Sequence, residues 1–374
     1  METKEVDGKL VVTHEGYTPD PDGTTLKNWF RKRRLEMKAN DPSTRHHVTR
    51  RTVLGLAAAG AVMAVGATTF GQQPGAPQAP RVKGPRVWLD MDQAELDAAY
   101  DQRVYAPNLA QLVKRYDTNS EAVRARLGAP RRYTYGTVPI EGLDVYTTKH
   151  TNAPINIYVH GGAWRGGLAK SYAFPAELFV HAGAHYVVPD FSWVQDAGGS
   201  LMPIADQVRR AVAWVYKNAQ SFGGDPNRIY VSGHSSGGHL AGVILTTDWM
   251  RHYGLPADTV KGGLCCSGMF DLKPVRLSAR SSYVKFTDEM EEALSPQRRL
   301  DKLTAPVIVA YGTLETPEFQ RQSRDFAAAV KSAGKPVQLL VANGYNHFEI
   351  IETLANPYGL LGRAVLQQMQ LAQA

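Results

Sequence analysis

Residues 228–240 read Arg-Ile-Tyr-Val-Ser-Gly-His-Ser-Ser-Gly-Gly-His-Leu, and no other stretch constrains the chain so tightly. Ile229, Tyr230 and Val231 have the β-branched and aromatic character of a strand buried on both faces. Gly233-His234-Ser235-Ser236-Gly237 follows at once and fits G-x-S-x-G, the nucleophile elbow. A strand that turns straight into a helix strains the backbone at Ser235. Side chains two positions to either side would collide with neighbouring elements, which explains the glycines. The turn lifts the Ser235 hydroxyl above a sheet and places it at a helix N-terminus. There the Ser236 N–H and the helix dipole meet a developing oxyanion. Alone, the pattern also fits an ordinary Gly/Ser turn. The catalytic reading requires an oxyanion loop upstream, then an acid and a histidine downstream.

Each requirement has a candidate. His160-Gly161-Gly162-Ala163-Trp164 follows the apolar run Ile155–Val159, and adjacent glycines let backbone N–H groups face a ligand. The Gly161 and Gly162 amides would join that of Ser236 around the oxyanion. Of eleven histidines, His347 in Gly344-Tyr345-Asn346-His347-Phe348-Glu349 falls after the strand expected at Val337–Val341, where the last member of a Ser, acid, His order belongs. The acid should follow the strand expected at Val307–Tyr311. Glu315 has the expected offset, with Asp271 and then Glu318 as alternatives. The carboxylate would accept the His347 Nδ1–H and fix its tautomer. Trp164, Phe191, Trp193 and Phe348 are candidates for an aromatic substrate pocket, with core packing as the competing role for each. His181 and His185 are four apart, but the stretch lacks the acid of a zinc-protease motif; no metal and no cofactor is expected.

The surrounding pattern is strand and helix in alternation. Strands are expected at Arg132–Tyr135, Leu143–Thr147, Ile155–His160, Tyr186–Pro189, Ile229–Val231, Gly263–Cys266, Val307–Tyr311 and Val337–Val341. Helices are expected at Ile204–Ala219, Gly237–Thr246, Gln320–Ala333 and Leu360–Gln373. This order calls for a mostly parallel central sheet with helices on both faces. Residues 91–127 have helical spacing and precede the sheet, so they are expected to form an N-terminal helical cap over it.

The net charge of +7 does not point to nucleic acid, because it is local. Residues 27–51 carry nine basic and two acidic side chains, residues 1–26 carry two and six, and residues 52–374 are net +4. Residues 1–48 lack a sustained period and are expected to be disordered. Arg50-Arg51 then precede an uncharged run rich in Ala, Gly and Val that ends near Phe70, so residues 49–71 read as a twin-arginine export signal. A membrane anchor at residues 53–70 is the alternative. The export machinery is thus an expected partner, and the periplasm or the exterior the expected location. A start at Met37 would give the signal a more usual length. Residues 72–85 read as a Pro/Gly linker and 86–374 as the catalytic domain. The only cysteines, Cys265 and Cys266, are adjacent in an apolar run and read as small buried thiols, with a strained vicinal disulfide as the alternative.

His160–Trp164, Phe222-Gly223-Gly224-Asp225-Pro226 and Gly233–Leu240 together resemble the α/β-hydrolase superfamily. More narrowly they resemble its arylformamidase (kynurenine formamidase-like) branch, beside the hormone-sensitive-lipase-type carboxylesterases. Ser267–Leu272, Pro317-Glu318-Phe319, Asn346–Glu349 and Met91–Asp97 are also similar to that branch. The resemblance spans residues 86–374. It implies an α/β-hydrolase fold and two-step acyl transfer from a small aromatic or short-acyl ester or amide, with aryl formamides and carbamates as alternatives. The family usually has Asp where this chain has Glu315. A non-catalytic binding protein of the same fold would require a broken triad, whereas Ser235, Glu315 and His347 are all present. A homodimer is left open as the assembly.

Overall fold

A computed structural model describes residues 2–6, 9–13 and 82–371, and the chain divides into two compact units, residues 1–77 and 78–374. In the first, β1 (Glu2–Val6) and β2 (Lys9–Thr13) pair antiparallel, with Glu2 opposite Thr13 and Val6 opposite Lys9. These two strands lie within the stretch 1–48 for which disorder was expected. Leu10-Val11-Val12-Thr13 has strand propensity. Residues 14–48, the paired-arginine segment and most of the linker lie outside the described residues.

The second unit opens with a short ribbon, β3 (Arg86–Trp88) and β4 (Met91–Asp92), then α1 (Gln93–Ala99) and α2 (Leu109–Leu127). The succession is then β5 (Arg131–Thr134), β6 (Gly142–Tyr146), β7 (Ala153–Val159), α3 (Ala176–His181), β8 (His185–Pro189), α4 (Met202–Asn218), β9 (Gly224–His234) and α5 (Ser236–Leu245). It closes with α6 (Trp249–Tyr253), β10 (Gly263–Cys266), α7 (Leu272–Leu277), α8 (Asp288–Ala293), β11 (Val307–Leu314), α9 (Pro317–Ser332), β12 (Val337–Asn346) and α10 (Leu360–Gln368).

Eight strands form one sheet in the order β12-β11-β10-β9-β7-β8-β6-β5. Only β6 runs against its neighbours; every other pairing among β7 to β12 is parallel. The alternation of strand and helix called for such a mostly parallel sheet, and the α/β-hydrolase fold is the one the resemblance implied. Side-chain alternation divides the core in two. On β7, Ile155, Ile157 and Val159 face the cluster that takes Ile204 and Val208 from α4, Leu240 from α5 and Phe326 from α9. Tyr158 faces the opposite cluster, with Phe179 from α3, Tyr116 and Val123 from α2, and Leu361 and Val365 from α10. Each fully buried aliphatic side chain contributes about 1.5–3 kcal/mol.

Register carries the consequence for function. Val159 pairs with Gly233, His234 with Cys266, and Leu314 with Asn346 after a shift in the β11–β12 ladder. Residues distant in sequence therefore leave the sheet side by side at its carboxyl end, where ligands bind in open α/β sheets.

Candidate active site

Ser235 leaves β9 with φ 58° and ψ −126°, and Ser236 already begins α5. The elbow closes because Gly237 has no side chain: a Cβ there would lie 2.0 Å from the Val159 carbonyl oxygen. The Ser235 N–H donates to the Cys266 carbonyl at 2.9 Å and its carbonyl accepts from His239 N–H at 3.1 Å, so neighbours on both sides hold a strained residue.

The β11–β12 register brings the other two members together. His347 Nε2 lies 2.9 Å from Ser235 Oγ, and His347 Nδ1 lies 3.1 Å from Glu315 Oε2. The remaining carboxylate oxygen, Glu315 Oε1, accepts from Ser267 Oγ–H at 2.6 Å and from Gly312 N–H at 2.8 Å. The carboxylate is wholly buried yet every contact is productive, which is what a buried charge requires. Asp271 is elsewhere: it caps α7 through Lys273 N–H and pairs with Arg298 at 3.1 Å. Glu318 accepts from the Tyr100 hydroxyl at 3.1 Å and pairs with Arg321 at 2.7 Å. Of the three acids considered, Glu315 alone meets His347.

The loop after β7 lies against the elbow. Gly162 adopts φ 119°, a region in which glycine is the favoured residue, and Ala163 and Trp164 follow at φ 55° and 59°. The N–H groups of Gly161 and Gly162 have no acceptor among the described residues, and that of Ser236 is a first-turn amide with no intrahelical acceptor. Ser236 Oγ accepts from Trp164 N–H at 3.2 Å, which ties loop to helix. His160 fixes the loop from below. Its Nδ1–H donates to the Gly161 carbonyl at 3.0 Å, and its ring is stacked between Tyr172 (5.2 Å) and Phe191 (4.3 Å). Burial pushes its pKa down and keeps it neutral.

A cavity of about 500 Å³ opens over Ser235, bordered by Gly161, Gly162 and His347. Its aromatic walls are Tyr100, Tyr116, Tyr172 and Phe348, and Arg280 reaches its edge. Three of the four aromatic candidates are thus displaced. Trp164 is buried in the core with its ring edge-on to His239, Phe191 backs His160, and the Trp193 Nε1–H donates to the Gly167 carbonyl at 3.0 Å. Part of the wall comes from the helical cap instead, α2 supplying Leu109, Val113 and Tyr116. Periodicity revealed that helix but not which of its residues would overhang Ser235. His181 ends α3 while His185 lies within β8 and accepts from Thr148 N–H at 3.3 Å, so no shared helix face joins them. Among the described residues no group of three or more His, Cys, Asp and Glu is placed to hold a metal ion. Cys265 and Cys266 are buried free thiols, and burial pushes both pKa values up.

Comparison with known proteins agrees with this architecture. Residues 143–258 match the family model described as BD-FAE. The kynurenine formamidase of Danio rerio is 30% identical over 295 residues, covering 75% of this chain and 98% of that protein. Esterase LipC of Mycobacterium tuberculosis is 28% identical over 251 residues, 59% of this chain and 60% of that protein. Among solved structures, a Silicibacter protein superposes with a TM-score of 0.63 at 24% identity, covering 71% of this chain and 97% of that one. The carboxylesterase EstE1, cloned from a metagenomic library, gives 0.53 at 19% identity over 70% and 94%. With a relative matched over nearly its whole length and the same fold in solved esterases, the chain belongs to the kynurenine formamidase-like (arylformamidase) family of α/β-hydrolases and is a hydrolase of the esterase or formamidase class.

Proposed function

We propose that the protein is a serine hydrolase that cleaves a small aromatic or short-acyl ester or amide through an acyl-enzyme on Ser235. The observation that carries this reading is the unbroken chain Glu315 Oε2, His347 Nδ1, His347 Nε2, Ser235 Oγ, with spacings of 3.1 and 2.9 Å. His347 takes the Ser235 proton as Oγ attacks the carbonyl carbon. The Gly161, Gly162 and Ser236 amides hold the tetrahedral oxyanion. Collapse expels an alcohol or amine that takes the proton from His347. Water, deprotonated by the same imidazole, then releases the acid. A cavity of about 500 Å³ walled by tyrosines supports a small aromatic substrate. Within this chemistry, similarity to a kynurenine formamidase over 98% of its length favours an aryl formamide, with a carbamate as the further variant. The paired-arginine segment supports export, which cell fractionation tests directly.

Ser235→Ala should lower turnover at least about thousandfold while the melting temperature holds. A fluorophosphonate should label Ser235 in the parent, as read by peptide mass spectrometry. Retained turnover in Ser235→Ala would overturn the nucleophile. Rates on p-nitrophenyl esters of graded length beside aryl formamides, anilides and carbamates identify the scissile bond.

A further inference from the structure

The middle position of Gly-x-Ser is occupied by His234, whose imidazole makes contacts the elbow itself does not need. It is buried at 5% exposure and sits between the oxyanion loop and the turn that carries His347. On one side, His234 Nε2 lies 2.7 Å from the main-chain carbonyl oxygen of His347. On the other, its Nδ1 would lie 3.6 Å from a Cβ on Gly161. The rings of His234 and His347 are 4.7 Å apart, tilted by 44°. A carbonyl oxygen only accepts, so Nε2 carries the proton and Nδ1 is a bare lone pair.

We propose that His234 is a positioning residue: its Nε2–H ties down the backbone of His347 and so sets the distance from which that imidazole takes the Ser235 proton. The need for a tie follows from topology. His347 stands on a turn beyond β12, the terminal strand of the sheet, which has a neighbour on one side only. Local capping steadies the turn, since Asn346 Oδ1 accepts from the N–H groups of Phe348 and Glu349. The bond from His234 instead joins the turn to β9, the strand that carries the nucleophile. Base and nucleophile then move together, and a displacement of about 1 Å at such a pair is enough to cost roughly a hundredfold in rate. Electrostatics agree with the assignment. Burial, and then the adjacent His347, push the His234 pKa well below its ordinary value. The tie therefore stays uncharged while its neighbour becomes an imidazolium during the reaction.

The inference rests on the proposed role of His347, and the experiment separates the two. Gln places its amide nitrogen near the position of Nε2, whereas Asn reaches only as far as Nδ1. His234→Gln should keep kcat within about threefold of the parent. His234→Asn and His234→Phe should lower kcat about tenfold to a hundredfold, with KM changed less than about twofold and melting temperatures matched by calorimetry. Equal kcat for the Gln and Asn variants overturns the proposal, as does a Phe variant within threefold of the parent. If the Phe variant fails to fold, the Gln and Asn pair decides. Ser235→Ala and His347→Ala are measured alongside. Turnover surviving in either one refutes the triad itself, whereas its loss in both beside an indifferent His234 refutes only the tie.

Discussion

Glutamate at the proposed acid position is explained by where its two oxygens go. Oε2 faces His347 while Oε1 turns back to Gly312 N–H and the Ser267 hydroxyl. The extra methylene lets one carboxylate span the turn after β11 and still reach the imidazole. Glu315→Asp should therefore lower kcat about tenfold to a hundredfold, because the shorter side chain satisfies one set of contacts or the other. Glu315→Gln, which favours the wrong tautomer, should lower it up to about 10⁴-fold. Initial rates at saturating substrate check both, and an Asp variant as fast as the parent would refute the argument from reach. The placing of Glu315 beside His347 could be anticipated because its offset from an apolar strand is a local property. The nearness of Ser267 to Glu315 could not be read, since it exists only through the pairing of β10 with β11. Ser267 sits at φ 51°, wholly buried, with its hydroxyl committed to the carboxylate.

Among the elements, the β9–α5 elbow is held by close approach of backbone to backbone. Gly237→Ala should cost at least about 2–3 kcal/mol, because the new methyl would meet the Val159 carbonyl and a strand at the centre of a sheet has little room to retreat. Denaturant titration measures it, and a loss below about 0.5 kcal/mol would contradict the packing described here. The eight strands of the central sheet were legible because hydrophobic runs are local, although their ends were not. The strand read at Ile229–Val231 spans Gly224–His234, and the helix read to Gln373 ends at Gln368. Pairing partners and packing set those limits, and neither is written in a single window of sequence. The same limit explains Trp164, Phe191 and Trp193. Their proximity to the catalytic loops could be read, but which face of each loop turns toward the core could not.

At the scale of the whole molecule, His160, His185, His234 and His239 are held neutral by burial, His239 down to about 4. Their folded pKa values lie below the ordinary 6.5, so beneath that pH the unfolded chain binds more protons than the folded one. Stability is therefore full above about pH 6.5 and is lost as pH falls toward 4, each such histidine adding up to about 1.4 kcal/mol per pH unit to the slope. Calorimetry between pH 7.5 and 4.5 should show the melting temperature dropping. His239→Gln, which keeps a donor for the Leu294 carbonyl, should give a shallower slope, and identical slopes would refute the assignment.

One bond across the cavity reaches further than its size implies. The Tyr116 hydroxyl on α2 donates to the carbonyl of Phe348, one residue beyond the imidazole, and Arg115 pairs with Glu352 just past it. The roof of the chamber is thereby bolted to the segment that carries His347, the proposed proton acceptor. An engineer who trims that roof to admit bulkier molecules would slacken the chemistry in the same stroke, so a wider doorway must be cut elsewhere, on the side away from Tyr116.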